Sequence, residues 1–210
     1  MTEPTRVFAI RHGQTAWNAA LRMQGQLDIP LDDTGRWQAA RLAHALAGEP
    51  LAAIYSSDLQ RAIATAQPLA ASTGAPISLC PALRERCFGC FEGHTYAEIE
   101  ARWPADSARW RRREPAFGPA GGESLEQFHA RCVTAALALA ADHAGEAIAI
   151  VAHGGVLDCL YRAAVGTALD APRSWQLGNA TINRLLFNGE GFSLVGWNDQ
   201  AHLAGAAPAA

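Results

Sequence analysis

A chain of 210 residues, half of them hydrophobic, has the material for one sizeable core. Its formal charge of −3 speaks against a nucleic-acid binder. No apolar run reaches the roughly 20 residues that span a bilayer, and "MTEPTRVFAI" lacks a signal-peptide pattern, so the expectation is a soluble, cytoplasmic protein with no membrane partner. In chain order, "RVFAI" is a run of strand formers and predicts the first strand. "LDDTGRWQAARLAHALAG" carries start signals at Asp32, Asp33 and Thr34 and a stop at Gly48, and predicts a helix. "LAAIYSS" predicts a second strand. "DLQRAIATAQPLAAS" predicts a helix opened by Ser57 or Asp58, with Pro68 bending or crowding its later part.

"APISLC" predicts a short strand. A looser stretch from Pro81 to Gly122 holds two short helices, around Tyr96–Trp103 and Asp106–Arg112. "ESLEQFHARCVTAALALAADH" predicts a long amphipathic helix with Ser124 and Gln127 as a capping box. "AIAIVAH" reads as a buried strand, "GGVLDCLYRAAVG" as the helix after it, and "INRLLFN" with "GFSLVGW" as a closing hairpin around Asn188–Gly191. Strands alternating with helices predict a three-layer α/β/α sandwich with a mostly parallel central sheet. One domain over residues 1–200 is expected, with a loose tail over 201–210. The five cysteines, odd in number and irregularly spaced, argue against a disulfide framework. Cys87-x-x-Cys90 lacks the second pair that a structural zinc site would use.

"VFAIRHG" and "AIVAHGG" share a layout in which an apolar strand ends on a histidine followed by glycine. In an α/β sheet, ligands sit beyond the carboxyl ends of the strands. That edge would receive His12 and His153, with Arg11 beside the first. Gly154 and Gly155 open a helix whose free N–H groups favour an anion. "YSSDLQRA" places Arg61 one turn into the helix after strand 2. Two arginines, a protonated imidazole and a helix N-terminus suit a phosphate monoester in charge and in fork geometry. A single strand-end histidine is commonly a hydrogen-bonded structural residue; two in matching context point to a ligand.

"RHGQTAWN" resembles the R-H-G-[EQ]-T-x-x-N signature of the histidine phosphatase superfamily, also called the phosphoglycerate mutase-like family. "MQGQLDIPLDDTG", "YSSDLQRAIATA", "LRERCFGCFEG", "GGESLEQFHAR" and "VAHGG" resemble its further motifs in the expected order, from Val7 to about Trp197. The resemblance implies that His12 is the nucleophile that forms a phosphohistidine. Arg11, Asn18, Arg61, His153 and Gly154 would hold the phosphoryl oxygens, with His153 protonated when phosphate is bound. Glu85 would be the general acid, protonating the leaving alkoxide and then activating water. Its alternative is a surface glutamate paired with Arg84 or Arg86. Gln24 and Gly25 would help line the pocket, and Glu92 would be structural. No metal and no cofactor are expected, because arginines supply the charge.

The implied activity is metal-independent hydrolysis of a small phosphorylated metabolite, and the implied partner is a small-molecule phosphate monoester. Only about 30 residues separate Gly93 from "GGES", which resembles the phosphatase branch. "ARWRRREP" weakly resembles a substrate-gripping W-R-R segment of the mutases, which leaves a 2,3-bisphosphoglycerate-dependent phosphoglycerate mutase as the alternative. In that case Arg111 and Arg112 would face the pocket; otherwise they form a solvated helix face. Trp103 and Trp110 are core residues by default or walls of the pocket. A non-catalytic interaction module is a remote third reading, at odds with the retained His12 and Glu85. A homodimer is the oligomeric state that the resemblance suggests.

Overall fold

The structure, a computed structural model, describes residues 3–205. Six strands form one sheet: β1 (Thr5–Arg11), β2 (Leu51–Ser56), β3 (Ile77–Leu79), β4 (Ala147–Ala152), β5 (Ile182–Phe187) and β6 (Phe192–Asp199). Their spatial order is β3-β2-β4-β1-β5-β6. The first four are parallel, and β5 and β6 complete the sheet antiparallel as a hairpin. All six residues of β4 are buried, as a central strand covered on both faces requires.

Alternation along the strands divides the core in two. Val7, Ala9, Ile148 and Ile150 pack against α6 (Leu125–Ala141) and α7 (Gly154–Val165), through Phe128, Cys132, Leu157 and Leu160. Phe8, Ile10, Ala149 and Val151 face the other way. They meet Leu42, Leu46, Ala66 and Leu69 of α2 (Asp33–Leu46) and α3 (Gln60–Thr73). The expected three-layer arrangement is therefore present.

The caps account for most element boundaries. Asp32 accepts from the Gly35 N–H at the start of α2, and Ser124 with Gln127 forms the expected capping box on α6. The opening of α3 differs from expectation. Leu59 is its N-cap and makes no side-chain bond, while Asp28, far away in sequence, accepts from the Gln60 N–H at 2.7 Å. Helix α3 continues past Pro68 to Thr73 and stops at Gly74, whose φ of 75° suits glycine. In the looser stretch α4 (Tyr96–Arg102) and α5 (Pro104–Arg111) appear as expected. A four-residue helix, α1 (Ala16–Ala19), is additional, capped reciprocally by Thr15 and Asn18.

The expected loose tail is corrected over residues 201–205. Ala201–Leu203 form a short 3-10 turn. Arg41 Nε donates to the His202 carbonyl at 2.8 Å, and the His202 ring hydrogen-bonds the Ala180 carbonyl at 2.9 Å. Residues 206–210 lie outside the described residues. Among the described residues, no helix is long and apolar enough to cross a membrane.

Candidate active site

The carboxyl ends of β1 and β4 lie side by side because the two strands pair in register, Arg11 opposite Ala152. The His12 N–H extends that ladder to the Ala152 carbonyl at 2.9 Å. The next residues, His12 and His153, thereby meet with ring centroids 5.2 Å apart. Strand β2 ends at the same edge, where the Ser57 N–H donates to the Val151 carbonyl at 3.0 Å. A cleft of about 710 Å³ opens over this edge. Arg11, His12, Asn18, Gln24, Gly25, Arg61, Glu85 and Gly154 line it, as the sequence led us to expect. His153 is fully buried directly behind it.

The protonation of both imidazoles follows from their partners. His12 Nδ1 lies 2.6 Å from the Gly13 carbonyl, which only accepts, so Nδ1 carries the proton and the Nε2 lone pair is free. Arg61 Nε, which only donates, lies 3.3 Å from His153 Nδ1, so that ring holds its proton on Nε2, 2.8 Å from Ser57 Oγ. Burial first, then the positive charges of Arg61 and Arg11, holds His12 well below its ordinary value. Burial and Arg61 do the same to His153. Both rings are therefore held neutral, and the arginines supply the positive charge of the site.

Burial lowers Arg11 to about 10, which keeps it charged at neutral pH. Its Nε has no hydrogen-bond partner among the described residues, while another guanidinium nitrogen donates to the Leu177 carbonyl. A Cβ at Gly154 would lie 3.4 Å from that Nε, which places the guanidinium one van der Waals contact away from the start of α7. Arg61 is aimed by two carbonyls, Leu27 at 2.8 Å and Gly25 at 2.7 Å. Asn18 Oδ1 is occupied by the Thr15 N–H at 3.1 Å and by Asn179 Nδ2 at 3.3 Å. Its amide nitrogen makes no hydrogen bond among the described residues.

Glu85 sits across the mouth of α7. Its carboxylate accepts from the Gly155 N–H at 3.0 Å and the Arg86 N–H at 2.8 Å. A Cβ at position 155 would stand 2.2 Å from Glu85 Oε1, so only glycine admits the carboxylate there. The surface pairing with Arg84 or Arg86 is not formed: Arg84 pairs with Asp58, and Arg86 donates to the carbonyls of Phe117 and Glu123. Glu92 accepts from the Gln26 N–H at 3.0 Å and the Phe88 N–H at 2.9 Å, bracing two walls of the cleft as a structural residue.

The W-R-R reading is corrected. Arg111 pairs with Glu100 and Arg112 with Glu114, with side chains 57% and 62% exposed; Arg111 borders only an outer recess. The next residue, Arg113, turns inward, with its side chain 21% exposed. It adopts φ 53° just after α5, and this left-handed turn redirects the arginine run. Trp110 lines the cleft, whereas Trp103 packs beside Phe91. Sequence reasoning missed Asp158, Arg173 and Asn179, all of which line the cleft. Asn179 Nδ2 donates to the His12 carbonyl at 3.0 Å. Asp158 was detectable as a lone acid four residues after Gly154 in an apolar helix. Among the described residues, no group of three or more His, Cys, Asp or Glu side chains could hold a metal ion.

The two histidines answer to pH in a defined direction. In unfolded chains both rings titrate near 6.5. Their lowered values in the fold mean that the unfolded state binds more protons between about 6.5 and the folded value. Stability is complete above about 6.5 and falls as pH drops through that window. NMR titration of ring protons should show both histidines neutral at pH 6, and urea midpoints should fall from pH 7 to 5.5. Two rings half-protonated near pH 6.5 would contradict this.

A free imidazole nitrogen facing an arginine-rich cleft at the edge of a parallel sheet defines an enzyme that transfers phosphoryl groups through histidine. The chain belongs to the histidine phosphatase superfamily, branch 1, whose family model matches residues 7–200. It is 39% identical over 201 residues to phosphoglycerate mutase-like protein 4 of Arabidopsis thaliana, covering 94% of this chain and 86% of the relative. It is 35% identical over 206 residues to the metal-independent phosphoserine phosphatase of the same plant, covering 97% and 85%. The structure of a mycobacterial glucosyl-3-phosphoglycerate phosphatase in complex with VO3 superposes with a TM-score of 0.83 at 34% identity, covering 93% of this chain and 99% of that one.

Proposed function

We propose that this protein hydrolyses phosphate monoesters of small metabolites that carry a second anionic group, with His12 as nucleophile. The observation that carries the reading is the fixed His12 tautomer, with Nδ1 tied to the Gly13 carbonyl and Nε2 free among the arginines. Nε2 attacks phosphorus in line while the ester oxygen departs with a proton from Glu85. Arg11, Arg61, Asn18 and the Gly154 N–H hold the three equatorial oxygens, where charge accumulates. Glu85 then takes a proton from the water that attacks phosphohistidine, and phosphate leaves.

Charge counting supports the second anion. Arg11, Arg61, Arg86, Arg113 and Arg173 line the cleft against Glu85 and Asp158. A sixth arginine, Arg22, is paired with Glu98. With Glu85 protonated to act as the acid, five cations face one carboxylate, and the excess of four is more than a phosphate dianion neutralises. Two relatives are named as phosphatases, which supports hydrolysis. The outward pairing of Arg111 and Arg112 removes the feature that spoke for a mutase.

The test is incubation with 3-phosphoglycerate, with and without a trace of 2,3-bisphosphoglycerate, following phosphate and 2-phosphoglycerate together. 4-Nitrophenyl phosphate serves as the generic ester. Release of phosphate from either is the expected result. Primer-dependent 2-phosphoglycerate without phosphate would make the protein a mutase.

A further inference from the structure

Helix α7 presents more than its N-terminus to the cleft. Asp158 follows Gly155 by three residues and Gly154 by four, so it lies on the same helix face, about one turn further along. It lines the cleft wall, yet it is only 5% exposed. Oδ2 accepts from Arg113 at 2.8 Å and from Arg162 Nε at 3.0 Å. Oδ1 is buried and has no hydrogen-bond partner among the described residues. A buried carboxylate oxygen left unpaired is unfavourable, so the arrangement favours any ligand that brings a donor.

The kind of donor follows from charge. Two guanidinium groups already answer the single negative charge of Asp158. An ammonium brought to Oδ1 would face both of them, whereas a neutral hydroxyl would gain the hydrogen bond without repulsion. Nearby, Arg173 makes no ion pair or hydrogen bond among the described residues, which leaves it for the substrate's second anion.

We infer that Asp158 is a specificity-determining residue that accepts a hydrogen bond from a hydroxyl group on the leaving group, selecting hydroxy-acid phosphates over deoxy and amino analogues. The hydroxyl belongs on a carbon near the ester-bearing one, given the single helical turn between the phosphoryl subsite and Asp158. The inference rests on the phosphatase reading above and narrows its substrate class.

Three esters test it in the intact protein: 3-phosphoglycerate, its deoxy analogue 3-phosphooxypropanoate, and O-phosphoserine. A hydrogen bond to a charged group predicts a kcat/KM at least about tenfold higher for 3-phosphoglycerate than for the deoxy ester. Phosphoserine should also lie below 3-phosphoglycerate. In Asp158→Asn the hydroxyl-to-deoxy ratio should fall by at least about threefold, because Oδ2 must remain oxygen for the two arginines and the amide NH2 in the place of Oδ1 offers the hydroxyl a neutral hydrogen bond instead of a charged one. A ratio cancels general loss of active protein. If the variant fails to fold, the wild-type ratio decides alone. A wild-type ratio within about twofold, a preference for phosphoserine, or an unchanged ratio in folded Asp158→Asn would each overturn the inference. Hydrolysis of 4-nitrophenyl phosphate separates the two readings. If it proceeds while the ratio is flat, only the role of Asp158 falls; if neither it nor 3-phosphoglycerate releases phosphate, the phosphatase reading falls first.

Discussion

His12→Ala is expected to lower kcat/KM by about 10⁴ or more for every phosphomonoester, whatever its leaving group. The nucleophile is the atom to which the phosphoryl group is transferred, so its loss cannot be offset by the arginines, which only hold oxygens. The wild-type protein should also take up a phosphoryl label from a reactive donor, acid-labile and base-stable as a phosphohistidine is, and the variant should not. His12→Asn is the companion control. Its amide nitrogen can still donate to the Gly13 carbonyl, which accepts from His12 Nδ1 at 2.6 Å, so the loop is kept while the nucleophile is removed. Circular dichroism should find both variants folded. Turnover retained in either one would remove His12 from the mechanism.

The second large effect belongs to Glu85 and depends on the ester. For Glu85→Gln, kcat/KM on an alkyl phosphate should fall by about 10² or more, the ordinary range for a lost general acid. On 4-nitrophenyl phosphate the same constant should fall less than about tenfold, because nitrophenolate leaves without a proton. The comparison uses kcat/KM because that constant ends at phosphoryl transfer to His12. The later attack of water, in which Glu85 is the base, enters only kcat, and there both esters should slow together. Glutamine keeps an oxygen for the Gly155 N–H but turns its NH2 to the Arg86 N–H, a loss of placement common to both esters, so the difference between the esters reports on the proton. Equal falls in kcat/KM for both esters would show that Glu85 is not the acid.

The two histidines were legible because the sheet itself places them, whereas Glu85 was legible only through the resemblance of its loop. Apolar runs ending in histidine and glycine mark strand ends, and the parallel register of β1 with β4 turns two sequence patterns into one pair of rings. Where backbone direction depends on a single residue, the pattern is silent. The arginine run from Arg111 to Arg113 reads as one helix face, but Arg113 sits at φ 53°, and that turn sends it into the cleft while its neighbours pair outside. Residues tied together over long chain distances are equally hidden. Asp28 capping α3 and Asn179 bonding the His12 carbonyl each need the finished fold to meet their partner. Asp158 falls between these cases, since its helix was visible but the cleft beside it was not.

The strand register has an evolutionary consequence. The histidine pair is set by backbone hydrogen bonds between two adjacent strands, which no side-chain substitution rewrites, whereas Arg113 and Arg173 come from the connections after α5 and after α7. On the roles proposed above, chemistry and substrate choice are inherited through different parts of the chain. Descendants can drift to new metabolites by changing those two connections and the outer turn of α7 while the phosphoryl machinery stays unaltered. A library confined to those positions is the natural place to look for changed selectivity in a protein that still folds and still phosphorylates its own histidine.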